Sequence, residues 1–300
     1  MFRKAEQANQ SSDWIQPIWS APKNIVAATT LNSSGINDSR FGGFNLATHV
    51  DDKNADVTAN RQRLRQHIAL ELSIASNQLE SCWLDQTHSD SCVQFEPNQE
   101  KLQADAIWSS NAHQICAVLT ADCLPLLLCS HDGEHIAAVH AGWRGLANGV
   151  INHSVRALNE QGVHSKKLMA WLGPAIGPQQ FEVGEDVRHI FMNATSYLGS
   201  DNGLIDACFS TIDNHLRKKE EKSSQAVDES TNKLKNTASS GQKFLADIYQ
   251  LATLALHHAD VHHIYGGGYC TVSDERFYSY RRAKNQNHVT GRMATFIVRN

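Results

Sequence analysis

Apolar runs of strand length recur along the chain at Ile25–Thr30, Cys82–Leu84, Ile115–Leu119, Leu124–Cys129, His135–Val139 and Leu168–Leu172. Their size and composition predict short strands. Three other stretches carry apolar residues at helical spacing. In Ala55–Leu72 the stripe is Val57, Leu64, Ile68 and Leu72, with Arg61 and Arg65 on another face. In Leu146–Leu158 it is Leu146, Val150, Ile151, Val155 and Leu158, with Gly162 as a stop soon after. The third is Ile248–His258, which Asp247 is placed to cap. Strands interleaved with helices predict an α/β or α+β domain.

One segment departs from this pattern. Lys218–Lys243 is polar and lacks aromatic residues, so it has little apolar surface to offset the entropy of ordering it. It reads as a mobile surface insertion within a single domain spanning residues 1–300. No apolar run approaches the ~18–20 residues of a membrane span. The net charge of -4 gives no basic surplus for nucleic acid or an acidic membrane. The first residues lack the apolar core of a secretory signal. The seven cysteines are odd in number and form no disulfide-like framework. Together these features predict a cytoplasmic protein in which a cysteine is a core residue, a ligand or a nucleophile.

The chemistry concentrates in Leu119–Gly145. Asp132-Gly133 between two apolar runs predicts a hairpin. With those residues at the turn, Cys123 faces Gly142 and Pro125 faces His140. Cys123 and His140 then share a sheet face one diagonal step apart, which brings a thiol and an imidazole together. Gly142-Trp143-Arg144-Gly145 follows and leads into the Leu146 helix. A helix start beside Arg144 suits an anion such as phosphate; alternatively, Arg144 pairs with a carboxylate and Trp143 fills core. Spacing leaves a third ligand open among His88, Asp122, His113 and His131.

The chain resembles the YfiH family, also described as laccase-domain or polyphenol-oxidase-like and as peptidoglycan editing factors. The runs that carry the resemblance are FGGFNLATHVDD at 41–52, ANRQRL at 59–64, DQTHSD at 85–90, TADCLPLLLC at 120–129, AAVHAGWRGL at 137–146 and WLGPAIGPQQFEVGEDV at 171–187. ADIYQLA at 246–252, FYSYRR at 277–282 and TGRMA at 290–294 complete it. The resemblance implies one domain of mixed β-sheets flanked by helices, with metal ligands His88, Cys123 and His140. Two imidazoles and a thiolate suit zinc, with copper as a possible substitute, and three protein ligands leave a fourth position open. It also implies phosphorolysis of adenosine, inosine and methylthioadenosine, and deamination of adenosine. Departures from the family pattern are Leu31 for an arginine, Ser89 for the glycine after the ligand histidine, Gly268-Tyr269-Cys270 for D-R-C, and Ala283 for the aspartate of RRD.

On this reading the partners are a purine nucleoside and phosphate. Arg144, Arg281 and Arg61 are candidates to hold the phosphate, Asn45 to contact the nucleoside, and Asp122 to carry a proton or brace a ligand. The main rival is a cysteine hydrolase editing peptidoglycan precursors, in which Cys123 attacks an amide and His140 is the base. A multicopper oxidase is disfavoured, because among sixteen histidines no two are separated by a single residue. A non-enzymatic zinc scaffold would need a fourth protein ligand such as Cys129. His257, His258, His262 and His263 read as a helix end rather than a metal tract. Gly266-Gly267-Gly268 reads as a strand entry, and Phe277-Tyr278-Tyr280 as a strand at the edge of the site.

Overall fold

The computed structural model describes residues 10–11, 14–33, 41, 43–97, 102–212 and 241–300. Two six-stranded sheets dominate it. In the first the order is β1 (Gln10–Ser11), β2 (Trp14–Ile15), β3 (Ile25–Thr30), β15 (Met293–Arg299), β7 (Gln114–Thr120) and β4 (Glu80–Cys82). In the second it is β14 (His263–Gly266), β10 (Leu168–Leu172), β8 (Leu124–Ser130), β9 (Ile136–Ala141), β6 (Ala106–Ser109) and β5 (Cys92–Gln94). A small third sheet joins β11 (Glu182–Gly184), β13 (Lys243–Ala246) and β12 (Phe209–Thr211). Pairings are mainly antiparallel, with parallel contacts at β4–β7, β5–β6 and β10–β14.

Strand periodicity explains how the layers stack. In β9, Ile136 and Ala138 enter a core shared with the first sheet, whereas Ala137, Val139 and Ala141 enter a core on the other face. β8 divides the same way, with Leu127 and Cys129 facing the first sheet and Leu124, Leu126 and Leu128 facing away. Both faces of these strands are buried, which is why they read as continuous apolar runs. On the outer side of the first sheet, Leu64, Ile68 and Leu72 of helix α1 (Asn54–Leu72) pack on Leu119, Phe296 and Val298. Helices α2 (Trp143–Ala147), α3 (Val150–Asn159) and Ile248–His258 cover the second. The result is a helix–sheet–sheet–helix stack within one domain.

The helix over Ile248–His258 forms as predicted, and Asp247 caps it by accepting from the N–H groups of Tyr249 and Gln250. The predicted helix Leu146–Leu158 divides in two. Gly149 takes φ +92°, and a Cβ there would lie 2.5 Å from the Tyr197 ring, so the chain turns between α2 and α3. A second correction concerns Phe277–Tyr280, which forms no strand; Ser279 instead caps a short helix, Tyr280–Asn285. Gly266 closes β14, so the glycine run is a strand exit. Most of the polar segment Lys218–Lys243 lies outside the described residues, and its last residue, Lys243, opens β13.

Candidate metal centre

The β8–β9 hairpin has the register expected from Asp132-Gly133: Pro125 pairs with His140 and Leu124 with Ala141. Its loop is wider than two residues, since Ser130 N–H donates to the His135 carbonyl and residues 131–134 lie between them. The loop remains centred on Asp132-Gly133, so the register is unchanged. His140 has the parity of Ile136 and Ala138 and therefore points toward the first sheet. Cys123, immediately before β8, has the parity of Leu127 and points the same way.

The third member arrives from the segment after β4. Ligand atoms of His88, Cys123 and His140 all lie within 4.8 Å of one another. Cys123 Sγ is 3.7 Å from His88 Nε2, and the two imidazole rings meet edge-on with centroids 4.9 Å apart. The other paper candidates lie elsewhere. His113 Nε2 is 3.1 Å from Asn300 Oδ1, and His131, in the hairpin loop, meets the His263 ring at a tilt with centroids 4.7 Å apart. Cys129 sits in the inter-sheet core with its thiol donating to the Ser130 carbonyl, and it does not join the cluster.

Sequence reasoning missed Asp105, which is fully buried. Its Oδ1 lies 2.6 Å from His140 Nδ1 and accepts from His88 N–H at 3.1 Å. Its Oδ2 accepts from Thr87 N–H at 3.2 Å, Ser89 N–H at 2.6 Å and Ser89 Oγ at 2.7 Å. Burial pushes this carboxyl up, but His140 and Ser89 pull it further down, so it stays below its ordinary value. His88 adopts φ +61°, in the left-handed region. Gly142 gives these groups room: a Cβ there would lie 2.7 Å from His88 Cδ2 and 3.2 Å from Cys123 Sγ.

Burial works against a Cys123 thiolate, yet the charge of His140 and hydrogen bonds from His140 and His88 outweigh it and bring the thiol down to about 6. Burial likewise opposes charge on His140, and the Cys123 thiolate and Asp105 overcome it, raising the imidazole to about 9. In the absence of metal, therefore, thiolate and imidazolium stabilise each other. The donor set fits zinc. Zinc–sulfur bonds of ~2.3 Å and zinc–nitrogen bonds of ~2.0–2.1 Å at a tetrahedral angle put the donors roughly 3.6 Å apart, close to the observed Cys123–His88 separation.

The proposed substrate residues and Asp122 occupy different settings. Arg61 lies over the Trp83 ring at 4.2 Å, its Nε donates to the Leu46 carbonyl, and burial pushes it down to about 10. Arg281 is tied by both terminal nitrogens to the carbonyls of Gln180 and Glu182, and Arg144 is exposed and lies over Trp143 at 4.3 Å. Asn45 is fully buried: its amide donates to the Ala47 carbonyl and Asp52 and accepts from the N–H groups of Ala47 and Arg292. Asp122 accepts from Thr271 Oγ1 and from the N–H of Arg281, both at 2.6 Å. Its carboxylate therefore braces the Tyr280–Asn285 helix against the ligand loop.

Arg292 is a second residue that sequence reasoning missed, although TGRMA contains it. Its carbonyl accepts from Leu46 N–H, so the same residue that holds Arg61 also holds Arg292. Burial lowers the Arg292 guanidinium, and Cys123, Asp122 and Tyr280 oppose this. His49 is likewise lowered, first by burial and then by Arg292 and Arg61, with Asp85 opposing them. Arg292 lines a cavity of about 340 Å³ with Phe41, Val50, Tyr280, Lys284 and His288. Tyr280 and Val289, two exposed hydrophobic residues, edge that cavity. Where the family has an arginine, Leu31 packs with Ile15, Ala121, Phe277 and Met293.

The two-sheet fold carries a His–Cys–His cluster that could hold a metal ion. The chain belongs to the family described as "multi-copper polyphenol oxidoreductase laccase", which matches residues 26–300. It is similar to a purine nucleoside phosphorylase of Pseudomonas aeruginosa, 38% identical over 285 residues covering 95% of this chain and 97% of the relative. It is also similar to purine nucleoside phosphorylase YfiH of Escherichia coli, 37% identical over 291 residues covering 95% and 98%. Among solved structures, a Neisseria meningitidis protein aligns with a TM-score of 0.75 at 33% identity, covering 96% of this chain and 99% of that one. The YfiH resemblance read from the sequence is therefore correct. Among the described residues, His88, Cys123 and His140 form the one cluster of three metal-type ligands. All seven cysteines are free, and no described helix is long and apolar enough to cross a membrane.

Proposed function

We propose that this protein is a cytoplasmic, zinc-dependent purine nucleoside phosphorylase acting on adenosine, inosine and methylthioadenosine, with adenosine deaminase activity at the same site. The observation that carries this reading is the convergence of His88, Cys123 and His140 within 4.8 Å; Arg292, on which the Cys123 charge acts, lines a cavity with Tyr280 and Lys284. The names of the relatives support the phosphorylase part of this reading. His88, Cys123 and His140 would hold zinc, with copper as a substitute. A zinc ion held by these three residues would supply Lewis acidity.

The remaining chemistry belongs to the chain. In phosphorolysis a phosphate oxygen bonds to C1′ of the ribose while the C1′–N9 bond breaks and its electrons pass to the purine, which takes up a proton. Arg61 and Arg292 face the phosphate, because their half-buried charges gain most from an incoming anion. Tyr280 offers an apolar ring to the purine. Asn45 acts by fixing Arg292, Asp122 ties down the helix that brings Tyr280 and Lys284 to the cavity, and the exposed Arg144, at the start of α2, is a further candidate phosphate contact.

The thiolate–imidazolium pair favours a second reading, a cysteine hydrolase acting on amides of peptidoglycan precursors, with Cys123 as nucleophile and His140 as base. Chelation separates the two. Loss of nucleoside cleavage in chelator with recovery in zinc supports the metal enzyme. Amide cleavage that persists in chelator and disappears with a thiol reagent supports the nucleophile.

A further inference from the structure

We infer that Asp105 is the positioning residue of this centre, fixing both histidine ligands at once. The inference rests on reading His88, Cys123 and His140 as metal ligands. An ionised carboxylate accepts and cannot donate, so its 2.6 Å contact with His140 Nδ1 places a proton on that nitrogen. The lone pair of His140 available to a metal is then on Nε2, the atom turned toward Cys123 and His88. A neutral acceptor or an apolar residue at 105 would leave the imidazole free to place its proton on Nε2, which cannot then bind.

The same carboxylate holds His88 by a different route. Three successive backbone N–H groups, of Thr87, His88 and Ser89, converge on it. Consecutive N–H groups aim at one anion when the backbone forms a nest, which needs a residue in the left-handed region. His88 supplies it with φ +61°, a conformation unfavourable for a non-glycine residue. The buried charge compensates that strain and sets the direction in which the His88 ring leaves the chain. Ser89 adds its hydroxyl to the cage; a glycine there would lack that bond. One side chain thus couples the β9 ligand to the loop ligand, and β6 carries it between them through the His140 N–H to Asp105 carbonyl bond at 2.6 Å.

The test compares wild type with Asp105→Asn in two measurements. In wild-type protein, proton–nitrogen NMR of the histidine rings should show a far-downfield, slowly exchanging Nδ1–H on His140, and in Asp105→Asn that proton should move upfield and exchange faster. Competition with a chromogenic chelator should give a zinc affinity weakened about 10–100-fold in the variant, the range for a lost carboxylate partner of a ligand histidine. Ser89→Ala, which removes one of the bonds to Asp105 and the acceptor of Ser91 N–H, should keep the Nδ1–H signal and weaken zinc by less. If Asp105→Asn does not fold, the wild-type spectrum still decides. An absent Nδ1–H signal in wild type, or zinc affinity within about twofold of wild type in a folded Asp105→Asn, overturns the inference. Zinc failing to bind wild type while the Nδ1–H signal is present would instead overturn the metal reading and leave Asp105 as the group that orients His140 beside Cys123.

Discussion

Cys123 Sγ lies 3.7 Å from His88 Nε2 although 35 positions separate the two residues in the chain. The contact exists because the segment after β4 and the strand entry at β8 open onto the same gap between the two sheets. Cys123→Ala should therefore abolish stoichiometric zinc binding and nucleoside cleavage together while leaving the fold intact. Metal analysis and circular dichroism of the purified variant check this. Full zinc occupancy in Cys123→Ala would place the metal elsewhere.

Gly142 is the nearest steric test of the same cluster. A methyl group there meets His88 and Cys123 at 2.7–3.2 Å, and neither side chain can retreat without leaving the site. Gly142→Ala should lower zinc affinity and cost about 1–3 kcal/mol of stability through overpacking, read by chelator competition and thermal unfolding. Affinity equal to wild type would mean that the donors are further apart than described.

The acidity of Cys123 gives a pH prediction for the metal-free protein. The folded thiol is depressed to about 6 from an ordinary value near 9, so the reactive thiolate is present above about pH 6 and is lost as pH falls through it. Alkylation of Cys123 should reach half its plateau near pH 6, followed by mass spectrometry of the labelled peptide. A rate still climbing above pH 8 would show an unperturbed thiol.

Arg61 and Arg292 should separate the two substrates kinetically. Removing a charge-assisted hydrogen bond costs about 1.5–3 kcal/mol, so Arg61→Ala or Arg292→Ala should raise the KM for phosphate by roughly 10–100-fold with a smaller change for the nucleoside. Steady-state kinetics with each substrate varied would show it. Equal effects on both substrates would point to a general loss of the pocket's shape.

Gly149 tests the fold independently of the chemistry. At φ +92°, with the Tyr197 ring 2.5 Å from any Cβ, Gly149→Ala should destabilise by more than the ~1 kcal/mol of a backbone effect alone. Denaturant unfolding measures it, and a neutral result would mean that the Tyr197 ring moves aside at no cost.

How far the sequence predicts this structure depends on how local each feature is. The β8–β9 register was legible because Asp132-Gly133 marks the centre of a short hairpin, and strand parity then carries Cys123 and His140 to one face. His88 needed the family resemblance, because nothing local brings the 85–90 loop to β8. Asp105 escaped notice for a related reason. Its partners are backbone N–H groups and a ring nitrogen contributed by other segments, and a lone aspartate before a strand carries no periodic signal. The break at Gly149 was hidden by an apolar stripe that continues across both α2 and α3, so periodicity alone reads one helix. Tyr280 was misread because aromatic residues favour strands on average, whereas the Ser279 cap governs the backbone there.

The central claim is tested most directly by chromatography of purified, zinc-loaded protein incubated with adenosine in phosphate buffer, with Cys123→Ala alongside. The account predicts adenine and ribose 1-phosphate, with some inosine, from the wild type and none from the variant. Adenosine left intact by the zinc-loaded wild type, or cleaved equally by Cys123→Ala, would contradict it.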